Sequence, residues 1–235
     1  MPIDSVMKHY KEKFSLIRKI IAKENPTIIE VGAHYGEDSM RFLETFPKAK
    51  IYCFEPDPRN VRAFRAYIDN PQIQLFEVAL AAQNGTASFF QSYQNPATRE
   101  VPSKYDWIDV ELYEKEQLSN SGSSSLKKGY KFNLEGSITV RTQRFDDWKD
   151  ENKVGEVDFA WIDVQGAEKD VLDGMGDTIR QIKLIWIEYG ETDYEDAMSR
   201  DEVVAYFNER HFAVVEKFST KGLKGDLLFL RKDVS

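Results

Sequence analysis

The chain has 235 residues, 41% hydrophobic, 13% aromatic and 31% charged, a composition that fills a sizeable core and excludes a disordered or low-complexity protein. Its length suits one α/β domain, so a single domain over residues 1–235 is expected. A net charge of −8 repels polyanions, which makes nucleic acid or an anionic membrane surface a poor partner and favours a neutral or cationic small molecule.

Residues 1–25 carry Val6, Tyr10, Phe14, Ile17 and Ile20 or Ile21 at helical spacing, the pattern of an amphipathic helix that Asn25-Pro26 ends. The opening has no apolar stretch of signal-peptide length, and no run reaches the ~20 apolar residues of a membrane span. Cys53 is the single cysteine. That excludes an internal disulfide and suits a reducing compartment, so a cytoplasmic protein is expected, with Cys53 a buried, inert thiol.

Five runs then read as strands buried on both faces: "TIIEVG", "KIYCFEP", "QIQLFEVAL", "VDFAWIDV" and "KLIWIEYG". Between them, helical spacing covers residues 37–46, 58–69 and 167–174. Strand alternating with helix predicts a mostly parallel sheet covered on both faces, with ligands bound outside the carboxyl ends of its strands. A helix over residues 201–210 follows, then "FAVVEKFS" and "GDLLFLRK" as a terminal hairpin. Residues 93–136 fit no minimal domain. They are polar, with Tyr93, Tyr105, Trp107, Tyr113, Tyr130 and Phe132 scattered through them and one short helix over 107–118. So long a segment reads as a substrate lid whose aromatics stack on an acceptor, or else as a solvated loop.

The stretch "EVGAHYG" turns the first strand into a helix on bare backbone, which allows close ligand approach and offers helix-start N–H groups to a carboxylate or phosphate. Its spacing departs from the dinucleotide G-x-G-x-x-G pattern, and no G-K-[ST] occurs. Glu55 ends the second strand about twenty residues further on, where an acid accepts hydrogen bonds from both ribose hydroxyls of an adenosine, and Pro56 helps wall the base.

With those residues in place, "IIEVGAHYGEDS", "IYCFEPDPRNVRAF", "FEVALAAQNGTASFF", "SSSL", "ITVRTQRFDDW" and "VDFAWIDVQGAEKDVLDGM" resemble, in order, the FkbM-type S-adenosylmethionine-dependent methyltransferases over residues 27–188. The resemblance implies a Rossmann-like class I α/β fold: a mostly parallel seven-stranded sheet with helices on both faces and an antiparallel terminal strand. It implies S-adenosylmethionine as cofactor, with Glu30, Gly32, Ala33, Gly36 and Ser39 around the methionine portion, Glu55 at the ribose, and Val78 and Ala79 at the adenine. It further implies methyl transfer to a hydroxyl, often of a sugar, glycan or secondary metabolite. Two positions depart from the common pattern, Glu30 for Asp and His34 for Asn.

His34 reads either as a general base or as a loop histidine satisfied by backbone groups. Asp163 ends "VDFAWIDV" in the family motif I-D-x-E-G-A-E, matched here except at Gln165, and is the stronger catalytic candidate. Glu188 ends the next strand and faces it. The two carboxylates either hold Mg²⁺ or another divalent ion, as in related O-methyltransferases, or one serves directly as base. The expectation is an O-methyltransferase of a sugar in a glycan or glycoconjugate. Beside it stand a non-sugar secondary metabolite as acceptor and a catalytically silent binding domain of the same fold.

Overall fold

A computed structural model of the chain describes residues 3–93, 101, 107–130, 136–219 and 223–233, with residues 3–11 and 219 described by backbone alone. The alternation expected from the sequence opens with α1 (Ile3–Ile21), β1 (Thr27–Val31), α2 (Glu37–Thr45), β2 (Lys50–Phe54), α3 (Pro58–Tyr67) and β3 (Ile73–Phe76). Short β4 (Ala79–Leu80), β5 (Gly85–Phe90), α4 (Val110–Lys115), β6 (Ser137–Gln143) and α5 (Phe145–Glu151) follow. The order closes with β7 (Val157–Ile162), α6 (Glu168–Met175), β8 (Ile182–Gly190), α7 (Arg200–Asn208), β9 (Phe212–Ser219) and β10 (Lys224–Arg231).

Seven strands form one sheet in the order β3-β2-β1-β7-β8-β10-β9. Neighbours from β3 to β8 run parallel, and β10 is antiparallel to both β8 and β9. This is the Rossmann-like class I methyltransferase arrangement, and its order reverses between β1 and β7. The segment "VDFAWI" is buried at every position, as a central parallel strand covered on both faces must be. Its one acid, Asp158, is satisfied by Lys23 Nζ at 2.8 Å and by the Thr27 N–H at 2.8 Å, which pins the chain leaving α1 to the base of the sheet.

α1 buries Phe14, Ile17 and Ile21 against Phe42, Phe46, Trp161 and Trp186. Lys13 rides with them: its ammonium lies 3.7 Å from the Trp186 ring centre and 3.6 Å from Asp226 Oδ2. Burial lowers the Lys13 pKa, and the Asp226 charge opposes that. No helix among the described residues is long and apolar enough to cross a membrane.

Three expectations change. "QIQLFEVAL" is two strands, because the chain turns at the Val78 N–H to Phe76 carbonyl bond and β4 leaves the main sheet. There β4 pairs with β6, which also pairs with β5, giving a separate three-stranded sheet that hydrophobic runs alone do not reveal. The terminal hairpin stands as expected, its second strand β10 lying between β8 and β9. The short helix spans only Val110–Lys115, started by Asp109, whose carboxylate accepts from the Glu111 and Leu112 N–H groups.

α5 fastens the second sheet to the first through Trp148, which meets Phe54 at 4.7 Å, Phe76 at 5.1 Å and Tyr52 at 5.2 Å between ring centres. Its indole N–H is buried without a partner among the described residues. Trp148→Ala is therefore expected to cost about 3–5 kcal/mol in urea unfolding. Trp148→Phe, which keeps most of the ring and removes the unpaired donor, is expected to cost less than about 1.5 kcal/mol.

Candidate active site

The switch point is built on a close approach. Gly32 has φ 86°, and a side chain there would collide with the carbonyl oxygen of Asp163, so only glycine lets the loop after β1 lie against the end of β7. The Gly32 and Ala33 N–H groups bond the Phe54 carbonyl at 3.0 and 3.1 Å, and the Asp163 N–H bonds that of Val31 at 3.0 Å. Three strand ends are thereby held together. Beside them opens a cleft of about 540 Å³, counted out to its mouth.

Of the residues expected at the cofactor, Gly32, Glu55, Pro56, Val78 and Ala79 line this cleft, as do His34 and Asp163. Glu30, Ala33, Gly36 and Ser39 are not among its lining residues. Glu30 and Ser39 are buried and hydrogen-bonded to each other, with Cys53 Sγ 3.4 Å from the same carboxylate. Burial raises both the Glu30 carboxyl and the Cys53 thiol well above their usual ranges. Ala33 is packed in the core, and Gly36, at φ 85°, lies where a side chain would strike Phe64 and Ile68. These four shape the loop from behind. The start of α2 is no open anion seat either: Glu37 and Asp38 occupy its first turn, and Glu37 accepts the Tyr35 N–H at 3.2 Å.

Glu55 closes β2 inside the cleft wall. One carboxylate oxygen takes the His34 N–H at 2.9 Å; the other takes the Asp57 N–H at 2.8 Å and Asn60 Nδ2 at 3.3 Å. Burial, reinforced by the Asp57 charge, pushes the Glu55 carboxyl up to about 7 against those hydrogen bonds. Asn60 also lines the cleft, and its side-chain carbonyl oxygen is buried with no partner among the described residues. Sequence reasoning missed Asn60; the one available signal is an asparagine within the first turn of α3, where Asp57 already supplies the cap. Phe54, Leu80, Phe89 and Leu126 complete an apolar wall with Val78 and Ala79.

The insertion forms a fastened roof. Phe90 and Ser125 exchange both backbone bonds, Tyr130 N–H bonds the Asp193 carbonyl at 2.9 Å, and Glu195 N–H bonds that of Lys128 at 2.9 Å. Buried Arg59 reaches the Ser92 and Gln117 carbonyls and Ser124 Oγ. Tyr113 and Leu118 pack with Tyr35 and Ala63. Tyr105, Phe132 and the rest of residues 94–100, 102–106 and 131–135 lie outside the described residues. His34 belongs to this fastening: Nδ1 is 3.0 Å from Glu37 Oε1 and Nε2 is 3.2 Å from Ser121 Oγ, which is 2.5 Å from the Tyr35 hydroxyl. Both ring nitrogens are engaged by side chains rather than by backbone groups.

Asp163 and Glu188 do face one another, but Gln165 stands between them. Its amide nitrogen is 2.6 Å from Asp163 Oδ1 and 2.9 Å from Glu188 Oε2, and its carbonyl is 3.1 Å from the Tyr194 hydroxyl. Burial raises the Glu188 carboxyl well above its usual range, with the Asp163 charge adding to it, and Lys224 Nζ 3.7 Å away partly compensates. Among the described residues no group of three or more histidine, cysteine, aspartate or glutamate side chains is arranged to hold a metal ion. The inner edges of this pair meet amide hydrogens rather than oxygen ligands, so the pair does not fit the divalent ion expected there. Glu168 caps the same turn through the Gly166 N–H at 3.1 Å, its carboxyl pushed by burial to about 7.

The methyltransferase FkbM domain family matches residues 30–214. The 2-O-methyltransferase NoeI of Sinorhizobium fredii is 31% identical over 214 residues, covering 90% of this chain and 82% of that protein. The methyltransferase sdnD of Sordaria araneosa is 27% identical over 183 residues, covering 71% of this chain and 67% of its own. Among solved structures, precorrin-6y C5,15-methyltransferase of Geobacter metallireducens covers 93% of this chain and 87% of its own, at 10% identity and a TM-score of 0.47.

A carboxyl that titrates near 7 when folded and near 4.5 when unfolded contributes stability below the lower value and loses it as pH rises through the upper one. The unfolding free energy of the wild type is therefore expected to fall relative to Glu55→Gln between those two pH values, and the difference to stay level above them. Parallel pH profiles of the two proteins would show that Glu55 is not strained by burial.

Proposed function

The chain belongs to the FkbM methyltransferase family and is an S-adenosylmethionine-dependent methyltransferase; from that premise we propose that it methylates a hydroxyl oxygen, that of a sugar, with Asp163 taking the proton. The observation that carries this reading is the pairing, in one cleft, of two neighbouring oxygen acceptors, one at the end of β2 and one in the first turn of α3, with a carboxylate at the end of β7. The buried, unpartnered Asn60 carbonyl calls for a donor, and Glu55 beside it keeps lone-pair capacity after its three hydrogen bonds. Two adjacent hydroxyls of a ribose supply donors to both. The apolar wall of Val78, Ala79, Leu80 and Phe89, with Pro56 beside it, suits a flat base.

S-Adenosylmethionine, when bound, supplies an electrophilic methyl group on a sulfonium. The chain's part is positional and proton-handling. Gly32 admits the loop close to Asp163, Glu55 and Asn60 hold the ribose end, and the roof excludes water from the cleft. Asp163 Oδ1 is occupied by Gln165; its second oxygen accepts the proton of the acceptor hydroxyl. Glu188 is held beside it through Gln165, and His34 secures the roof through Ser121. Transfer to oxygen is further supported by the 2-O-methyltransferase among the relatives, and an uncharged sugar suits a mouth that is already acidic.

Calorimetry with S-adenosylhomocysteine and methyl transfer over a panel of glycans test the reading. Glu55→Ala is expected to weaken S-adenosylhomocysteine binding about 10–100-fold. Asp163→Asn is expected to keep that affinity while lowering kcat by on the order of 10²–10⁴. No binding heat in the wild type, or full turnover by Asp163→Asn, would sink it.

A further inference from the structure

The side chain of Gln165 is held by its own backbone for one task. Gln165 adopts φ 53° and Gly166 φ 94°, a left-handed pair that sharply turns the chain after β7. A side chain at Gly166 would collide with Tyr194. Its absence lets Tyr194 settle against the turn, where the hydroxyl lies 2.9 Å from the Ser123 carbonyl as well as 3.1 Å from Gln165 Oε1. With the Gln165 carbonyl oriented by Tyr194, the amide's two N–H donors are left for the carboxylates on either side, at 2.6 and 2.9 Å.

We propose that the Gln165 amide is a built-in cross-brace between Asp163 and Glu188, standing where a cation bridging two carboxylates would stand, and that it frees methyl transfer from any divalent ion while positioning Asp163 to take the proton. The proposal rests on the reading of Asp163 given above. Two carboxylates brought this close must be bridged by something positive or by hydrogen donors. A divalent cation needs six or more oxygens, whereas the space between these two is filled by one neutral group that presents hydrogens to both. The outer edge of Glu188 is answered by one cation, Lys224 Nζ, at 3.7 Å from Glu188 Oε1 and 3.6 Å from Asp193 Oδ2. Gln165 is thus a positioning residue. A carboxylate in its place would bring three together and turn the brace into a cation site.

Titration of the whole protein with Mn²⁺, followed by electron paramagnetic resonance in the presence of S-adenosylhomocysteine, tests this without an acceptor. The wild type is expected to leave the Mn²⁺ spectrum unchanged, Gln165→Glu to bind one ion per chain, and Asp163→Asn in that background to abolish the binding. Stoichiometric Mn²⁺ binding by the wild type that Asp163→Asn removes would overturn the proposal, as would a folded Gln165→Glu protein that binds none. Should Gln165→Glu not fold, Gln165→Met, which keeps the length and removes the donors, decides. It is expected to retain S-adenosylhomocysteine affinity, to lower kcat by on the order of 10²-fold with little change in acceptor KM, and to move the acidic limb of the kcat profile to higher pH. An unaltered kcat and pH profile in that variant would equally overturn it. Calorimetry with S-adenosylhomocysteine on the same samples separates failure of the brace from failure of the methyltransferase reading.

Discussion

The cleft depends on how closely two strand ends approach where the sheet order reverses, and Gly32 is what permits the approach. With φ 86° and no side chain, it lets the loop after β1 lie against the Asp163 carbonyl. The loop is then tied to β2 through the Phe54 carbonyl and the Glu55 carboxylate, and Asp163 is tied to β1 through Val31. The acceptors proposed for the cofactor and for the proton are therefore positioned by adjoining strand ends and the helix that follows β2 rather than by independent loops. Relative placement of reacting groups supplies much of the rate in a displacement of this kind, so a rigid junction serves the chemistry better than a mobile one would.

Much of this frame was legible in the sequence. The five parallel strands of the main sheet, the glycine turn, Glu55 twenty-odd residues beyond it and Asp163 at the close of "VDFAWIDV" all follow from periodicity, backbone chemistry and strand-end position. What was not legible depends on partners remote in sequence. Nothing local distinguishes Asn60 from any other helical asparagine until Glu55 takes its amide and leaves its carbonyl unpaired. Ser39 looks like a helix-start ligand, yet in the first turn of α2 its hydroxyl is buried and bonds Glu30. Gln165 reads as a deviation from a motif, and only the register of β7 beside β8 sets Glu188 within its reach. The second sheet was hidden for another reason: β4 has only two residues, and β5 and β6 are mostly exposed or half-buried, so the three lack the continuous apolar signal of the main sheet.

Charge at the mouth is managed by burial as much as by pairing. Glu188 and Asp226 stand opposite each other across β8 and β10, close to Asp163. Burial holds the Glu188 carboxyl well above its usual range and pushes that of Asp226 to about 6, with Lys13 offsetting part of the latter. Lys13 comes from α1 and Lys224 from β10, so the amino-terminal helix and the last strand both contribute cations to an acidic centre. The result is a site that stays acidic without accumulating the full repulsion of its carboxylates, which suits a cationic methyl donor and a neutral acceptor.

The position of β10 has a consequence for biosynthesis. β8 and β9 do not touch in the sheet; each pairs with β10, which is translated after both. A nascent chain that has emerged only as far as residue 223 presents β8 with one edge open and lacks Asp226 and Lys224 altogether. Until Arg231 has left the ribosome the sheet cannot close, and the apolar flank of β8, with Trp186 and Ile187, is open to mispairing or to a chaperone. β10, made after β8 and β9, is thus the strand that joins them into one sheet.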